Sequence, residues 1–276
     1  MKIGFQGIEG SYSQQALLEH LGKKVDSIGF RSFEDVFLAL EKGDIDKAFL
    51  PAENSIAGSV APVFDLLLKK DFHIYSETFL KINHCVLAKK GNTLEKMKKV
   101  LSHPVALEQC RDFIERNKLI PVREYDTAGS ALMISESEES DVCAIASPLC
   151  KRIYDLDILE ENISTNLNNF TRFFVIGKEK VYLNETDKTS IVFKPKRSTS
   201  YGALVNTLDI FSKYEINLTR VESRPDPNKL WEYVFYIDIA MGENDKKLKK
   251  AMLVLADFTE FIKILGSYCH GEILKK

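Results

Sequence analysis

What this chain lacks narrows its chemistry first. Its five cysteines (Cys85, Cys110, Cys143, Cys150, Cys269) are odd in number and form no CxxC pair, which suits reduced thiols in a cytosol rather than a disulfide framework. Its five histidines show no HxxH or HExxH spacing. The adjacent pairs His84–Cys85 and Cys269–His270 cannot alone supply four ligands, so no metal is expected. No cofactor fingerprint occurs: "GFQGIEG" (Gly4–Gly10) follows a strand with glycines but lacks GxGxxG spacing, so no cofactor is expected. There is no GxSxG elbow, and no Cys/His pairing surrounds Thr171. A net charge of −2 gives no basic field for nucleic acid or anionic lipid. No apolar run approaches the ~18 residues of a membrane span, and "MKIGFQGIEG" reaches glycine too soon for a signal peptide. A cytoplasmic protein without nucleic-acid or membrane partners is expected.

What is present is an ordinary globular composition. The chain has 276 residues, 45% apolar and 28% charged, enough for about two domains. "KKLKK" (Lys246–Lys250) and "EKMKK" (Glu95–Lys99) read as solvated helix faces. The first ~180 residues alternate strand and helix, the pattern of a layered α/β domain. "KIGFQ" reads as a strand. "SYSQQALLEHLG" follows as a helix, with Ser11 and Gln14 spaced as a capping box and Gly22 as a stop. "FHIYSETFLKINHCVLAKKG" (Phe72–Gly91) reads as one long extended stretch. One long strand in and one strand out, "NFTRFFVIG", suggest two lobes joined by two crossings around a cleft, as in two-lobed periplasmic binding proteins.

The polar stretch Lys180–Lys188 loses the alternation and marks a boundary. Beyond it, a strand precedes a helix with Leu204, Leu208 and Phe211 on one face. A further strand leads into "LWEYVFYIDIAMG", where Trp231, Tyr233, Phe235, Ile237 and Ile239 alternate inward. A second helix carries Leu248, Met252, Leu255, Ile262 and Leu265, and "CHGEIL" closes as a short strand. βαββαβ is the ferredoxin-like order.

Candidate chemistry lies where strands turn into helices: Glu9–Ser13, Glu53–Ser59, Leu101–Pro104 and Asp126–Ser130. Singly these are N-caps. Together, facing one crevice, they make an anion-accepting pocket lined by hydroxyls and helix N-termini. Glu53 and His103 are possible acid–base groups. A second oddity is "NNFTRFFVIG" (Asn168–Gly177), where an amide, a hydroxyl and a guanidinium enter an otherwise apolar strand. Alternation puts Thr171 with Phe173, and Arg172 with Phe170 and Phe174. A hydroxyl and an arginine without a strong base suit a substrate reactive by its own structure, which need only be oriented and given a hydrogen bond.

"NFTRF" (Asn169–Phe173) resembles the NxTRF motif of the prephenate dehydratase family. "GSYSQQA", "PAENSIAGSV", "SHPVALEQC" and "DTAGSA" resemble that family's other motifs, in order. "GALVNTLDIF" (Gly202–Phe211) and "ESRP" (Glu222–Pro225) resemble its ACT regulatory domain. Ile8 stands in for the usual proline, Ser11 and Tyr12 for threonine and phenylalanine, Ala52 for valine, and Thr165 for aspartate. With no chorismate mutase helix ahead of Met1, the chain resembles the monofunctional form.

The resemblance implies an α/β, two-lobed catalytic domain over residues 1–180, its lobes roughly 1–78 with 172–180, and 79–171. It implies an α+β ferredoxin-like ACT domain over 188–274. The reaction implied is decarboxylating dehydration of prephenate to phenylpyruvate. Thr171, Arg172 and Phe173 are the implied catalytic residues: Thr171 would hydrogen-bond the departing hydroxyl, and Arg172, with the polar turns, would hold the carboxylates or stabilise shifting charge. Ser11, Ser13, Glu53, Asn54, Ser55, Gly58, Ser102, His103, Thr127, Ala128 and Asn169 are the implied substrate-binding residues. Gly202, Ala203, Leu204, Asn217, Leu218, Glu222, Ser223, Arg224 and Pro225 are implied to bind the effector L-phenylalanine between paired domains, in a homodimer or homotetramer. The alternatives are an arogenate dehydratase, whose substrate bears an amino group in place of the keto group, and a non-catalytic amino-acid-binding module.

Overall fold

The computed structural model describes residues 1–183, 185–196 and 200–274. Two compact units divide the chain. One comprises Met1–Val63, Thr78–Phe173 and Ile273–Lys276, the other Phe64–Glu77 and Phe174–Glu272.

The chain opens with β1 (Lys2–Gln6), α1 (Tyr12–Leu21), β2 (Asp26–Phe30), α2 (Phe33–Lys42), β3 (Lys47–Asn54) and the short β4 (Gly58–Ser59). Helix α3 (Ala61–Lys69) and strand β5 (His73–Lys81) are each divided between the two units. Then come β6 (Cys85–Lys89), β7 (Lys99–Ser102), α4 (Pro104–Gln109), α5 (Arg111–Arg116), β8 (Ile120–Arg123), α6 (Thr127–Glu136), β9 (Val142–Ala146), α7 (Leu149–Ile153) and β10 (Leu156–Glu160). Strand β11 (Phe170–Gly177) begins in the first unit and ends in the second.

The alternation builds two sheets, β2-β1-β3-β11-β5 with β4 on β3, and β10-β6-β9-β7-β8. These are the two expected lobes. In the second sheet, Val86, Val100, Cys143 and Ile145 pack with Leu107 and Phe113, while Leu87, Leu101 and Ala144 pack with Ala131 and Ile134. Helices therefore cover both faces, which is why its strands read as continuous apolar runs.

The helix ends follow local chemistry. Ser11 Oγ accepts from Gln14 N, and Gln14 Oε1 accepts in return from Gly10 N at 2.7 Å, a capping box displaced by one residue. His103 Nδ1 caps α4 and Asp126 caps α6. Gly10 has a positive φ of 85°, and a Cβ there would lie 2.7 Å from Cys150 Sγ, so only glycine fits.

The stretch Phe72–Gly91 is two strands, not one. β5 stops at Lys81 and β6 starts at Cys85 in the other sheet. Asn83 and His84 between them are buried and meet side chains and loops instead of a ladder: Asn83 O lies 3.0 Å from Tyr12 Oη, and Asn83 Oδ1 accepts from Asn162 N.

The second unit contains β12 (Lys188–Pro195), α8 (Ala203–Lys213), β13 (Leu218–Pro225), β14 (Tyr233–Ile239), α9 (Lys246–Phe258) and β15 (Thr259–Tyr268). Its antiparallel sheet runs β13-β14-β12-β15, the ferredoxin-like topology. Ile191, Phe193, Ile237 and Ile239 face α8 and α9 through Ile210, Phe211, Leu248 and Leu255. The opposite face is also buried: Tyr236 donates to Phe64 O, and Lys188 pairs with Glu77.

Three details differ from the sequence reading. Trp231 precedes β14, has φ 62° and is exposed because the β13–β14 turn ends there, and Tyr233 at the start of β14 is exposed too instead of facing inward. Ile262 and Leu265 belong to β15 rather than to the second helix, since the helix ends at Phe258 and the following residues pair with β12, Ile262 opposite Phe193. "CHGEIL" forms only a single bridge, Phe79 to Ile273, within the first unit.

Candidate functional site

A cavity of about 480 Å³ lies in the first unit, within the range of small-molecule sites. All four polar turns reach it. Ser11 and Ser13 come from the start of α1, Asn54 and Ala57 from the β3–β4 turn, His103 from the start of α4, and Thr127 from the start of α6. Thr171 and Phe173 line it from β11, on the face that strand alternation gives them. Phe173 is pinned from behind by a parallel stack on Phe49, with centroids 5.1 Å apart. None of the lining residues is Lys or Arg, and Asp126 is the one carboxylate among them.

Seven predicted residues do not line this cavity. Arg172 is buried on the other face of β11, with Nη1 3.8 Å from Glu53 Oε2. Ser55 pins β11 by accepting from Phe170 N and donating to Asn168 O. Ser102 is fully buried and donates to Ile145 O. Ala128 is buried in α6, and Gly58 sits in β4 at φ 83°. Asn169, also fully buried, bonds to lining residues without being one. In the second unit, Gly202 (φ 74°) caps α8, followed by Ala203 and Leu204. Asn217 precedes β13, which carries Leu218 and Glu222–Pro225 as an edge strand, with Glu222 on Arg220 and Arg224 on Asp65.

Asn54 organises the site. Its Oδ1 accepts from Ile56 N (3.0 Å) and Ala57 N (2.8 Å). Its Nδ2 therefore faces Asn169 Oδ1 (2.7 Å), Thr171 Oγ1 (3.0 Å) and Phe170 O (3.2 Å). Asn169 Nδ2 donates onward to Gln109 Oε1 at 3.0 Å, which also lies 2.9 Å from His84 Nε2. His84 Nδ1 is 2.8 Å from Tyr12 Oη, so the chain crosses from one lobe to the other and back. Burial lowers the His84 pKa, an effect the Gln109 hydrogen bond partly offsets. Ser147 and Tyr154 clamp the lobes further, donating to Gly10 O and Glu9 O, each at 2.5 Å.

Tyr12, His84 and Gln109 were not among the expected site residues. The buried polar interruption at Asn83–His84 and the glutamine of "SHPVALEQC" were the available signals. No thiolate nucleophile stands ready: burial pushes Cys110 to about 12 and Cys150 to about 11. Thr165, in place of the usual aspartate, accepts from Asp112 N at 3.4 Å, and its N–H donates to Gln109 O, bracing the end of α4. A second cavity of about 540 Å³ in the second unit, lined mainly by apolar groups such as Tyr182, Leu248, Met252 and Leu253, contains none of the predicted residues. No described helix is long and apolar enough to cross a membrane.

A two-lobed α/β enzyme with hydrogen-bond donors converging on a polar cleft, followed by a ferredoxin-like fold, is the class this geometry defines. The family model for prephenate dehydratase matches residues 3–181. Over 285 residues the chain is 39% identical to arogenate dehydratase/prephenate dehydratase 1, chloroplastic, of Arabidopsis thaliana, covering 97% of this chain and 72% of that protein. It is similar to the structure of prephenate dehydratase from Arthrobacter aurescens in complex with L-Phe, with TM-score 0.90 and 28% identity over 98% of this chain and 90% of that one. A structure described as GqqA, a novel type of quorum-quenching acylase, also superposes, with TM-score 0.90 and 30% identity over 98% of both chains. The chain belongs to the prephenate dehydratase family, carbon–oxygen lyases of aromatic amino acid biosynthesis.

The Asn54 network makes a stability prediction. Asn54→Asp turns a donor into an acceptor facing three oxygens, costing about 1–3 kcal/mol relative to wild type at pH 8. Burial and the facing acceptors raise the new carboxyl's folded-state pKa above its unfolded value. The folded state then binds more protons, and the loss shrinks as pH falls toward 5. Urea unfolding of both proteins at the two pH values checks this. An equal loss at both would contradict the network.

Proposed function

We propose that this protein converts prephenate to phenylpyruvate, CO2 and water, and that L-phenylalanine regulates it through the C-terminal ferredoxin-like fold, residues 188–274. The observation that carries the catalytic part is the state of Thr171. Its oxygen accepts from Asn54, and among the described residues nothing takes its hydroxyl hydrogen, which is left for the cavity. In prephenate one ring carbon bears a carboxylate and the pyruvyl side chain, and the carbon para to it bears a hydroxyl. As the carbon–carboxylate bond breaks, its electron pair enters the ring and expels that hydroxyl, which takes a proton that comes ultimately from solvent and leaves as water. Aromatisation drives the step. The protein must hold the molecule still and stabilise the departing oxygen, which Thr171 does by donating to it.

The dianion is held by dipoles rather than fixed cations. Hydroxyls and amides at the starts of α1 and α6, with Ser11, Ser13 and Thr127, supply partial positive charge. His103 and Asn54 complete the polar lining, and Phe173 backs the ring. Arg172, Glu53, Ser55, Gly58, Ser102, Ala128 and Asn169 support these groups from behind. An arogenate dehydratase is the second reading, favoured by the name of the Arabidopsis relative. Arogenate's ammonium calls for a carboxylate, and Asp126 already uses Oδ1 to cap α6 through Gly129 N.

The effector reading rests on the relative crystallised with L-Phe. It also rests on Gly202, whose left-handed backbone opens the start of α8, where a Cβ would meet nothing closer than 3.6 Å. We place L-phenylalanine among Gly202, Ala203, Leu204, Asn217, Leu218 and Glu222–Pro225. The open edge of β13 is where a second copy would pair, giving a homodimer or homotetramer.

Phenylpyruvate release from prephenate near neutral pH, beside an arogenate reaction and an enzyme-free control, tests the reading. Prephenate is expected to be the faster substrate, and faster arogenate turnover would replace this reading with the second. Thr171→Val keeps shape and removes the donor, so kcat should fall ~10²–10³-fold; unchanged kcat in the folded variant would remove Thr171 from the mechanism. Calorimetry with L-phenylalanine should show binding, and added L-phenylalanine should lower the rate. No heat and an unchanged rate would discard the regulatory part alone.

A further inference from the structure

The chain of side chains running from Thr171 to Tyr12 has a direction. Its starting point is fixed by two backbone N–H groups, Ile56 and Ala57, which can only donate. The Asn54 atom they meet is therefore its oxygen, and the nitrogen points the other way. The Asn169 atom 2.7 Å from that nitrogen must accept, so Asn169 presents Oδ1 there and Nδ2 to Gln109. The Gln109 atom receiving that N–H is in turn its oxygen. His84 Nε2, 2.9 Å from the same oxygen, must then carry a proton. With the ring neutral, His84 Nδ1 holds a lone pair, and the Tyr12 hydroxyl, 2.8 Å from it and 3.0 Å from Asn83 O, turns its single hydrogen to Nδ1.

The opposite tautomer would suit the Tyr12 end, with Tyr12 donating to Asn83 O, but it fails at the Gln109 end. It would set a lone pair of His84 against a lone pair of Gln109. Turning the Gln109 amide over to relieve that would set its NH2 against the NH2 of Asn169. Two donors reach the cavity as a result: the Thr171 hydroxyl, whose oxygen is taken by Asn54, and the Gln109 NH2, whose oxygen is taken twice.

We propose that His84 is a positioning residue. Its Nε2–H, donated to Gln109, locks Gln109 and Asn169 in the orientation that turns the Thr171 and Gln109 donors toward the substrate. The catalytic consequence rests on the reading of Thr171 as the donor to the leaving hydroxyl; the direction of the chain does not. His84 is only 3% exposed, so water cannot substitute for it readily.

Two experiments decide it. The 15N spectrum of the imidazoles in the wild-type protein at neutral pH, with His84→Gln to assign the signal, should show His84 protonated on Nε2. A bare Nε2 would overturn the proposal. Kinetics then separate positioning from packing. Gln places an amide N–H where Nε2 stood, whereas Asn reproduces only the Nδ1 side. His84→Asn should lose about 10–100-fold in kcat with KM within about threefold, while His84→Gln stays within about fivefold of wild type. Equal losses in both variants, or a change confined to KM, would assign His84 to packing instead. Because the tautomer is read on wild-type protein without substrate, it decides the direction of the chain even if the dehydratase reading fails.

Discussion

Two backbone N–H groups in the turn after β3 hold the Asn54 amide one way round, and the rest of the cleft is built on that choice. An asparagine free to turn over would offer Thr171 a donor or an acceptor at similar cost. Held as it is, it offers only a donor, and the threonine hydroxyl is committed to giving its hydrogen away. Asn169 Oδ1, Asn169 Nδ2, Gln109 Oε1 and His84 Nε2 are each paired in turn, so none of these atoms bears the roughly 1–3 kcal/mol of an unmade hydrogen bond. A network of this kind specifies one arrangement of two lobes as well as one orientation of a side chain.

The chemistry proposed for the cleft fits its charge. The reaction expels one of two carboxylates as CO2. An arginine buried against that carboxylate would be left unpaired as the product formed, which is costly in a dry site. Helix N-termini and hydroxyls give up the anion with less penalty, since each contributes about 0.3–1 kcal/mol, and up to ~2 kcal/mol when partly buried. The absence of Lys and Arg from the lining follows the same logic. Arg172 obeys it too, lying on the far side of β11 beside Glu53.

Much of this was legible in the chain, for physical reasons that differ by residue. Strand alternation alone separates Thr171 and Phe173 from Arg172, and the structure keeps them apart. The turns at Ser11, His103 and Asp126 declared themselves as caps and share one cavity because α/β crossovers deliver helix starts to one side of a sheet. Tyr12, His84 and Gln109 were not legible. Each has a sufficient local explanation, and their contacts span 72 and 25 residues of sequence, which periodicity cannot see. The second unit showed its topology but not its boundaries. β15 runs from exposed Glu260 and Phe261 through half-buried Ile262–Ile264 to buried Leu265, so it lacks the alternation that would have distinguished it from the helix before it.

The most direct measurement is a crystal structure with the saturated-ring analogue of prephenate, which keeps both carboxylates and the ring hydroxyl but cannot become aromatic. The account predicts that the ring hydroxyl lies within hydrogen-bond distance of Thr171 Oγ1, with Asn54 Nδ2 still donating to that same oxygen, and the carboxylates at the starts of α1 and α6. A ring hydroxyl turned away from Thr171, or a Thr171 hydroxyl donating back into the protein, would contradict it.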